Sequence, residues 1–458
     1  MSSDWPQVSL REFVDLLAGF AFKSSGYTEE IGDVRLLRGD NIAPGKVRWD
    51  GVKRWSRDGL AELSKYSLEA GDVVLAMDRP WIPAGLKVAQ VNTADTPSYL
   101  VQRVARLRTS SVEDRGFLFA LLSTPDFESY IQSATTGTAV PHISAKQILD
   151  FPFRLPPGHV RAQVGALTSA LDDRITLLRE TNATLEAIAQ ALFKSWFVDF
   201  DPVRAKAEGR QPEGIDATTA ALFPDRFEKS ELGLVPKGWN LVPFGELLAH
   251  TIGGDWGDET PSDKNDTRVA IIRGTDIPDL QQSTANRVPI RYTSSKKLST
   301  RKLQDGDLIL EVSGGSKDQP TGRALYLTEH LLGQFGCPVE PASFCRLLRP
   351  PSRDIGVLLG QQLTYIYSIG KTWEYQNQST GIANFQTAHF LESELVVVPS
   401  PEVLSEFSKM VRPMIDRAHQ SQIRELTQLR DTLLPRLISG QLRLPEAQAL
   451  LNDRDTAQ

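Results

Sequence analysis

The chain has 458 residues, 40% of them hydrophobic and 24% charged, so it can bury more than one core and is expected to be multi-domain. Its two cysteines form no CxxC pair, which excludes a disulfide framework and a structural zinc site. The net charge of −6 argues against a protein that coats DNA regardless of sequence. Without a long apolar run or a signal-like start, the protein is expected to be soluble and cytoplasmic.

The sequence repeats itself at about half its length. LLRGDNI at 36–42 returns as IIRGTDI at 271–277, and LEAGDVVLAM at 68–77 returns as LQDGDLILEV at 303–312, both displaced by 235 residues. One offset shared by two separate motifs indicates an internal duplication. VVLAM and LILEV, each after a Gly-Asp turn, are predicted strands. Each copy ends in a Pro-containing connector, at 153–158 and 397–402, which should stop the fold before a helix begins.

A long helix is predicted after each connector. The first has an apolar seam in alternating three- and four-residue steps, a heptad pattern whose polar members include Asn182. Asn182 either fixes the register or lies at a solvated edge of the seam. The second helix, about 402–438, repeats the pattern less cleanly, and Pro435 is expected to kink or end it. Two such helices in one chain are expected to pair antiparallel, with a globular domain at each end.

The predicted fold class is α+β, with two pseudo-repeated α/β domains separated by an antiparallel two-helix coiled coil. The stretch between the two copies is rich in Pro, Gly and charge; a third small domain there is possible but too short to convince. The predicted boundaries are a first domain at 1–158, a first long helix at 159–200, a linker at 201–238, a second domain at 239–400, a second long helix at 401–442 and a tail at 443–458.

Several stretches resemble one known family, the specificity subunits of type I restriction-modification systems. Residues 167–209 (LTSALDDRITLL and onward) resemble its central helical region, and 135–157 (TTGTAVPHISAKQ and onward) the end of a target-recognition domain. Residues 71–91 and 306–327 resemble the first and second recognition domains, and 429–442 the C-terminal helix end. The second copy departs from the pattern at 377–390, where it lacks the PHIS of the first copy.

This resemblance implies a non-catalytic subunit that reads an asymmetric, bipartite DNA site. It also implies two modification (methyltransferase) subunits and restriction (translocase and nuclease) subunits as partners. S-adenosylmethionine, ATP and Mg are then expected in those partners, and no cofactor in this chain. The residues agree, because we find neither a glycine-rich adenosylmethionine loop with its NPPY-type tetrapeptide nor a GxxxxGK(S/T) phosphate loop. No catalytic or metal-binding residue is therefore predicted.

Candidate DNA contacts are clustered cations for phosphate, and polar or aromatic loop residues for bases. His142 by itself is more often a structural histidine. In the first domain the candidates are Lys46, Arg48, Lys53, Arg54, Arg79, Trp81, Thr136, His142 and Lys146. In the second domain they are Arg287, Arg291, Lys296, Lys297, Lys317, Lys371, Trp373, Tyr375, Gln376, Asn377 and Gln378.

The first long helix carries more apolar residues than one two-helix seam buries, so a partner subunit is predicted to dock there; core packing is the alternative. These residues are Leu185, Ile188, Leu192, Phe193, Trp196 and Phe197. Two rival functions remain open. One is a self-contained DNA methyltransferase or nuclease, against which the missing motifs count. The other is a scaffold whose helical rod and end domains bind proteins.

Overall fold

The computed structural model describes residues 5–137, 140–230, 233–282, 287–316, 318–379, 382–443 and 445–447. The chain divides into two compact units: unit 1 is Met1–Ile175 with Leu426–Gln458, and unit 2 is Thr176–Glu425. Each unit combines helices and sheets, so the α+β class is confirmed. Over the described ranges, no helix is both long and apolar enough to cross a membrane.

The helices are numbered in chain order. They are α1 Arg115–Leu122, α2 Pro125–Ala134, α3 Ala145–Leu149, α4 Gly158–Phe197, α5 Asp201–Ala207, α6 Ala217–Ala221, α7 Ile277–Gln281, α8 Ser295–Arg301, α9 Glu329–Gly333, α10 Arg353–Ser368, α11 Thr387–Ser393, α12 Pro401–Ala418 and α13 Gln422–Ile438.

Unit 1 is built on two four-stranded sheets and smaller strand pairs. The first sheet is antiparallel and its strand order is Val88–Gln90, Val73–Ala76, Val104–Thr109, Val14–Ala18. The second has the order Ser98–Leu100, Val34–Leu37, Lys53–Trp55, Tyr27–Thr28, with its first two strands parallel. The pairs are Gln7–Ser9 with Pro152–Arg154, Ile42–Ala43 with Lys46–Val47, and Trp81–Ile82 with Gly85–Leu86.

Unit 2 has a four-stranded antiparallel sheet, two three-stranded sheets and two strand pairs. The four-stranded order is Ala324–Tyr326, Leu308–Glu311, Cys345–Arg349, His250–Gly253. The three-stranded orders are Ile290–Thr293, Thr267–Ile272, Val339–Pro341 and Ser313–Gly314, Ile382–Phe385, Gln376–Ser379. The pairs are Asn240–Pro243 with Leu395–Val398, and Phe227–Ser230 with Gly233–Pro236.

The two units repeat one topology, as the duplicated motifs predict. Both predicted strands, Val73–Ala76 and Leu308–Glu311, form and lie at the same inner position of their four-stranded sheets. The aspartate of each Gly-Asp turn is buried and accepts two hydrogen bonds from an arginine of the neighbouring strand. Asp72 accepts from Arg108 at 2.6 and 2.7 Å, and Asp307 from Arg349 at 2.7 Å twice. In each copy, the buried aspartate therefore holds the turn before one strand against the neighbouring strand.

Each unit contains its own pairing of long helices. In unit 2, the Asn182 side-chain amide donates to the Ala418 carbonyl at 3.1 Å, and the Trp196 ring packs on Phe407 at 5.8 Å. Since residue numbers rise along α4 while they fall along α12, these two segments are antiparallel. In unit 1, Arg430 of α13 pairs with Asp172 of α4 at 2.6 Å. Asn182 thus makes an interhelical contact in the seam.

The second long helix differs from the prediction, because it is divided into α12 and α13. His419 lies at the break, is buried, and hydrogen-bonds the Thr328 hydroxyl at 3.0 Å. Its carbonyl accepts from the Gln334 side chain at 2.7 Å instead of closing a further helical turn. Pro435, expected to kink or end the helix, lies inside α13, which continues to Ile438.

The stretch predicted as a linker also has more structure than expected. It forms α5, α6 and the Phe227–Ser230 hairpin. Val203 and Phe223 are buried in the same core as Trp239, at the start of the second copy. Its buried apolar residues supply the contacts that hold it to this core.

Candidate nucleic-acid interface

Three loops of unit 1 are joined where the strand Val73–Ala76 ends. The Met77 amide donates to the Arg103 carbonyl at 2.8 Å, and the Ile143 amide donates to the Met77 carbonyl at 2.9 Å. The Arg79 amide donates to the Pro141 carbonyl at 2.7 Å. Backbone bonds therefore bring the segments around 78–81, 103 and 136–142 together. The predicted residues Arg79, Trp81, Thr136 and His142, from separate stretches of sequence, lie on these segments.

Asp78 lies at the centre of this loop cluster, and each of its carboxylate oxygens has one partner. One accepts from Arg103 Nη1, and the other bonds His142 Nδ1 at 2.6 Å. Partial burial raises the pKa of Asp78, but the bonds from Arg103 and His142 outweigh it, and the pKa lies below its ordinary value. Because the carboxylate is an acceptor, the proton of a neutral His142 ring lies on Nδ1, which leaves Nε2 as a hydrogen-bond acceptor.

The backbone of the loop cluster is strained at two positions. Arg79 has φ 45° and Arg103 has φ 66°, two of the three positive values found for non-glycine residues in the described ranges. Such a conformation costs of order 1–3 kcal/mol and is concentrated at functional sites. The Arg103 side chain is 66% exposed.

Cations on neighbouring segments extend this loop cluster. Burial lowers the pKa of Lys87, and the charges of Arg48 and Arg79 lower it further, against the opposing influence of Asp40 and Asp78, so the three cations lie near one another. No ion pair is found for any of them among the residues that the structure describes. Lys46 and Arg48 are exposed. A phosphate group would relieve this repulsion. Lys87, which the sequence analysis missed, belongs to this group.

The remaining candidates of the first domain lie elsewhere. Lys53 pairs with Glu29 at 3.4 Å, and Arg54 donates to the Asp33 carbonyl at 3.0 Å. Both contacts tie the Lys53–Trp55 strand to its own sheet. Lys146 is exposed on α3. These three residues are not part of the loop cluster around Asp78.

Trp81 sits at the rim of the loop cluster. Its ring is partly exposed, and its indole N–H donates to the Glu128 carboxylate. That bond fixes the orientation of the ring, so one face stays available for packing against a sugar or base.

Unit 2 has the same loop connections. The Val312 amide donates to the Phe344 carbonyl at 2.8 Å, and the Phe385 amide donates to the Val312 carbonyl at 2.8 Å. Ser313 pairs with Asn384, and Asn377 pairs with Asn384 across the next strand. These contacts repeat those of unit 1 in kind and order. In the described parts of 377–390, residues 377–379 and 382–390, the sequence departure therefore replaces side chains on a retained backbone scaffold.

Several residues of unit 2 that were predicted to contact DNA instead bond other groups of the protein. The buried Glu394 carboxylate accepts from Lys371 at 2.7 Å and from the Tyr375 hydroxyl at 2.6 Å. Tyr375 is buried, so its prediction as a DNA contact is wrong, and the Lys371 charge is neutralised internally. The Gln376 side-chain oxygen accepts from the Thr321 amide at 2.9 Å. Trp373 and Asn377 are exposed. Lys317 and the side chain of Gln378 lie outside the described residues.

The basic stretch of residues 287–302 is partly neutralised by a distant loop. Arg291 pairs with Glu259 at 2.7 Å and lies over the Trp256 ring at 4.7 Å. Lys297 pairs with Asp255 at 2.9 Å. These acidic partners come before the strand Thr267–Ile272, far from the stretch in sequence, so the sequence alone does not reveal the pairing. Exposed candidates in it are Arg287, Lys296 and the partly exposed Lys297.

A buried carboxyl group beneath this stretch predicts a pH effect. Burial, with Asp255 nearby, raises the pKa of Glu340 from 4.5 to about 7, against the influence of Arg301 and Lys297. The stabilising contribution of the neutral carboxyl is therefore complete below pH 4.5 and lost as pH rises through about 7.

We expect Glu340→Gln to stabilise unit 2 at pH 8, by about 3 kcal/mol, because the neutral amide removes the cost of the buried charge. At pH 4.5 the variant and the wild-type protein should differ little. Urea denaturation at the two pH values measures this, with the exposed Glu402→Gln as the control. Equal effects of Glu340→Gln at both pH values would contradict the assignment.

The predicted partner surface on α4 lies mostly in the core of unit 2. Phe193, Trp196 and Phe197 are buried among aromatic side chains, so they are not available to a partner, and the alternative of core packing holds for them. Leu192 is partly buried against the same core, and Leu185 lines a cavity between α4, α10 and α12. Ile188 remains 42% exposed.

The loop clusters of the two units each contain a residue that the sequence analysis missed, Arg103 in unit 1 and Asn384 in unit 2. Arg103 comes just before a strand and carries no motif, and Asn384 lies in the stretch that departs from the family pattern. Comparing the two copies could have revealed Asn384, because the loop that carries His142 in the first copy carries Asn384 in the second.

Comparison with known proteins shows which proteins this chain is similar to. Residues 2–187 match the family model described as type I restriction modification DNA specificity domain. The specificity subunit of the type I restriction enzyme HindI from Haemophilus influenzae is 26% identical over 71% of this chain and 77% of that relative. The MjaVIII specificity subunit of Methanocaldococcus jannaschii is 32% identical over 40% of this chain and 43% of that relative.

A solved structure has the same fold. The type I restriction-modification S subunit from M. genitalium covers 95% of this chain and 96% of its own length, with a TM-score of 0.56 and 15% identity. The chain is therefore similar to type I restriction-modification specificity subunits over most of its length, and residues 2–187 match their DNA specificity domain.

Proposed function

We propose that this chain is the DNA-recognition subunit of a type I restriction-modification complex. It reads an asymmetric, bipartite site and directs partner methyltransferase and restriction subunits to it. The loop cluster around Asp78 carries the proposal, because it presents guanidinium and imidazole groups beside Arg48, Arg79 and Lys87, for which no ion pair is found among the described residues. Such groups position the phosphate backbone and read base edges.

The repeated topology supports one target-recognition domain in each unit. In the proposed arrangement an antiparallel two-helix coiled coil separates the two domains, within the boundaries predicted from the sequence. The helix contacts inside each unit, Asp172 with Arg430 and Asn182 with Ala418, support this pairing. Because the two copies present different loop residues, their half-sites differ, and the bases between them go unread.

Catalysis belongs to the partners in this proposal. Two modification subunits bind the helices, restriction subunits join that assembly, and S-adenosylmethionine, ATP and Mg are bound there and not in this chain. Of the predicted docking residues, Ile188 is the one that keeps a large exposed area on α4.

Binding of random duplex DNA tests the function. Gel retardation with the full chain, with and without a modification subunit, should show duplex binding that falls steeply with salt. Capture of proteins without any retardation of DNA would favour the scaffold alternative. Methylation of DNA by the chain alone with S-adenosylmethionine would favour the enzyme alternative.

Neutralising Lys296 and Lys297 together should weaken binding to all duplex sequences. Each lost phosphate contact should flatten the slope of log affinity against log salt by about 0.9. Lys296 should contribute most, because Lys297 is already paired with Asp255. Lys409→Ala, an exposed lysine of α12, serves as the control. Loss of discrimination at one base position, with affinity otherwise unchanged, would contradict a phosphate role.

A further inference from the structure

The hydrogen bonds of the two loop clusters define equivalent positions. The residue whose carbonyl accepts from Met77 in unit 1 is Arg103, and the residue whose carbonyl accepts from Val312 in unit 2 is Phe344. His142 pairs with the residue after Met77, and Asn384 pairs with the residue after Val312.

By the same connections, Asp78 corresponds to Ser313 and Thr136 to Asn377. The two units therefore present different chemistry at matched places: a cation, its carboxylate and an imidazole in unit 1, and an aromatic ring with two amides in unit 2.

In unit 1, a bond to Asp78 holds the Arg103 side chain in place, so its guanidinium can donate two hydrogen bonds to one acceptor group. Asp78 occupies Nη1, which leaves the other guanidinium nitrogens of a side chain that is 66% exposed. Its backbone is fixed at φ 66°, and the same carboxylate is fixed by His142. Holding a long side chain before binding lowers the entropy lost on contact. Arginine donors match the O6 and N7 acceptors of guanine in the major groove.

In unit 2 the matched positions fit a different base pair. Asn384 and Asn377 lie opposite each other and both are exposed. Asparagine bonds adenine bidentately through N6 and N7, and an apolar ring packs on the thymine methyl. Phe344, at the position of Arg103, is 67% exposed. No charged side chain replaces Asp78 there, since its equivalent is Ser313.

We propose that the two units read different base pairs from equivalent positions. Arg103, held by Asp78, bonds a guanine in one half-site, and Asn384, beside Phe344, bonds the adenine of an adenine–thymine pair in the other. Asp78 is a positioning residue that acts through Arg103. This inference rests on the proposed DNA-recognition function and adds which base each unit selects.

Selection from a randomised duplex library with the full chain, assembled with its modification subunits, tests the proposal. Arg103→Ala should lose a preference of about 5- to 100-fold for one guanine–cytosine pair in one half-site and leave the other half-site unchanged. Asn384→Ala should lose one adenine–thymine preference in the other half-site only. Asp78→Asn should affect the same position as Arg103→Ala, by a smaller factor.

Two further variants separate base reading from general effects. Arg103→Lys keeps the positive charge and should keep the salt dependence while weakening the guanine preference, because lysine lacks the planar fork. Arg11→Ala is the matched control, since Arg11 is also an exposed arginine paired with an aspartate, Asp150, in unit 1. It should change neither half-site. Thermal melting establishes that each variant is folded, and Arg103→Ala keeps the test decisive if Asp78→Asn does not fold.

Three results would overturn the proposal: a uniform loss of affinity with Arg103→Ala, a lost preference at a base pair of the other type, or both half-sites changing with one substitution. If the wild-type assembly enriches no motif at all, the proposed DNA-recognition function fails instead. The two failures are therefore distinguishable.

Discussion

Replacing Trp196 with alanine should lower the free energy of unfolding of unit 2 by about 3–5 kcal/mol. Trp196 is 1% exposed and lies at the middle of an aromatic cluster, edge to face with Phe223 at 4.8 Å and against Phe407 at 5.8 Å. The cavity left by the indole has rigid rings on its sides, and these cannot collapse into it without losing their own contacts.

The matched control is Ile188→Ala, on the same helix and 42% exposed, which should cost less than about 1 kcal/mol. Urea denaturation followed by circular dichroism measures both variants, and hydrogen exchange assigns the transition to unit 2. If the two substitutions have equal small effects, Trp196 is not a core residue, and the partner-docking interpretation of α4 returns.

Replacing Glu394 with alanine should cost about 3 kcal/mol, because it leaves buried donors without an acceptor. The carboxylate is fully buried and accepts from Gln362 at 2.7 Å, besides Lys371 and Tyr375. Glu374→Ala, an exposed carboxylate between Lys371 and Tyr375, should change stability by less than about 0.5 kcal/mol.

The same stability measurement tests whether Lys371 is paired with Glu394 and not with DNA phosphate. Lys371→Ala should lower stability while leaving the salt dependence of DNA binding, measured on folded protein, as it is in the wild type. A flatter salt slope with unchanged stability would mean that Lys371 contacts phosphate after all.

The parts of the fold that the sequence predicts are those set by local pattern or by repetition. Strands Val73–Ala76 and Leu308–Glu311 follow from apolar runs after Gly-Asp turns, and α4 follows from its heptad seam. The break between α12 and α13 at His419 does not follow from a local pattern, because it depends on Thr328 and Gln334, which are distant in sequence.

The candidate site could likewise be predicted only in part from the sequence. Arg79, Trp81, Thr136 and His142 could be picked out as loop residues after predicted elements, but their meeting at Asp78 depends on backbone bonds between distant segments. Two of the cations predicted to contact phosphate, Arg291 and Lys297, are paired with Glu259 and Asp255, which lie in a separate segment earlier in the chain. Charge neutralisation of this kind is visible only once the segments are placed.

The most direct test of DNA recognition by a duplicated chain is to map the methylated sites that the assembled complex leaves on genomic DNA. Recognition by two unlike domains should give one split, asymmetric motif: two short unlike half-sites with an unspecified spacer of fixed length. A continuous palindromic motif, or methylation without any sequence preference, would contradict it.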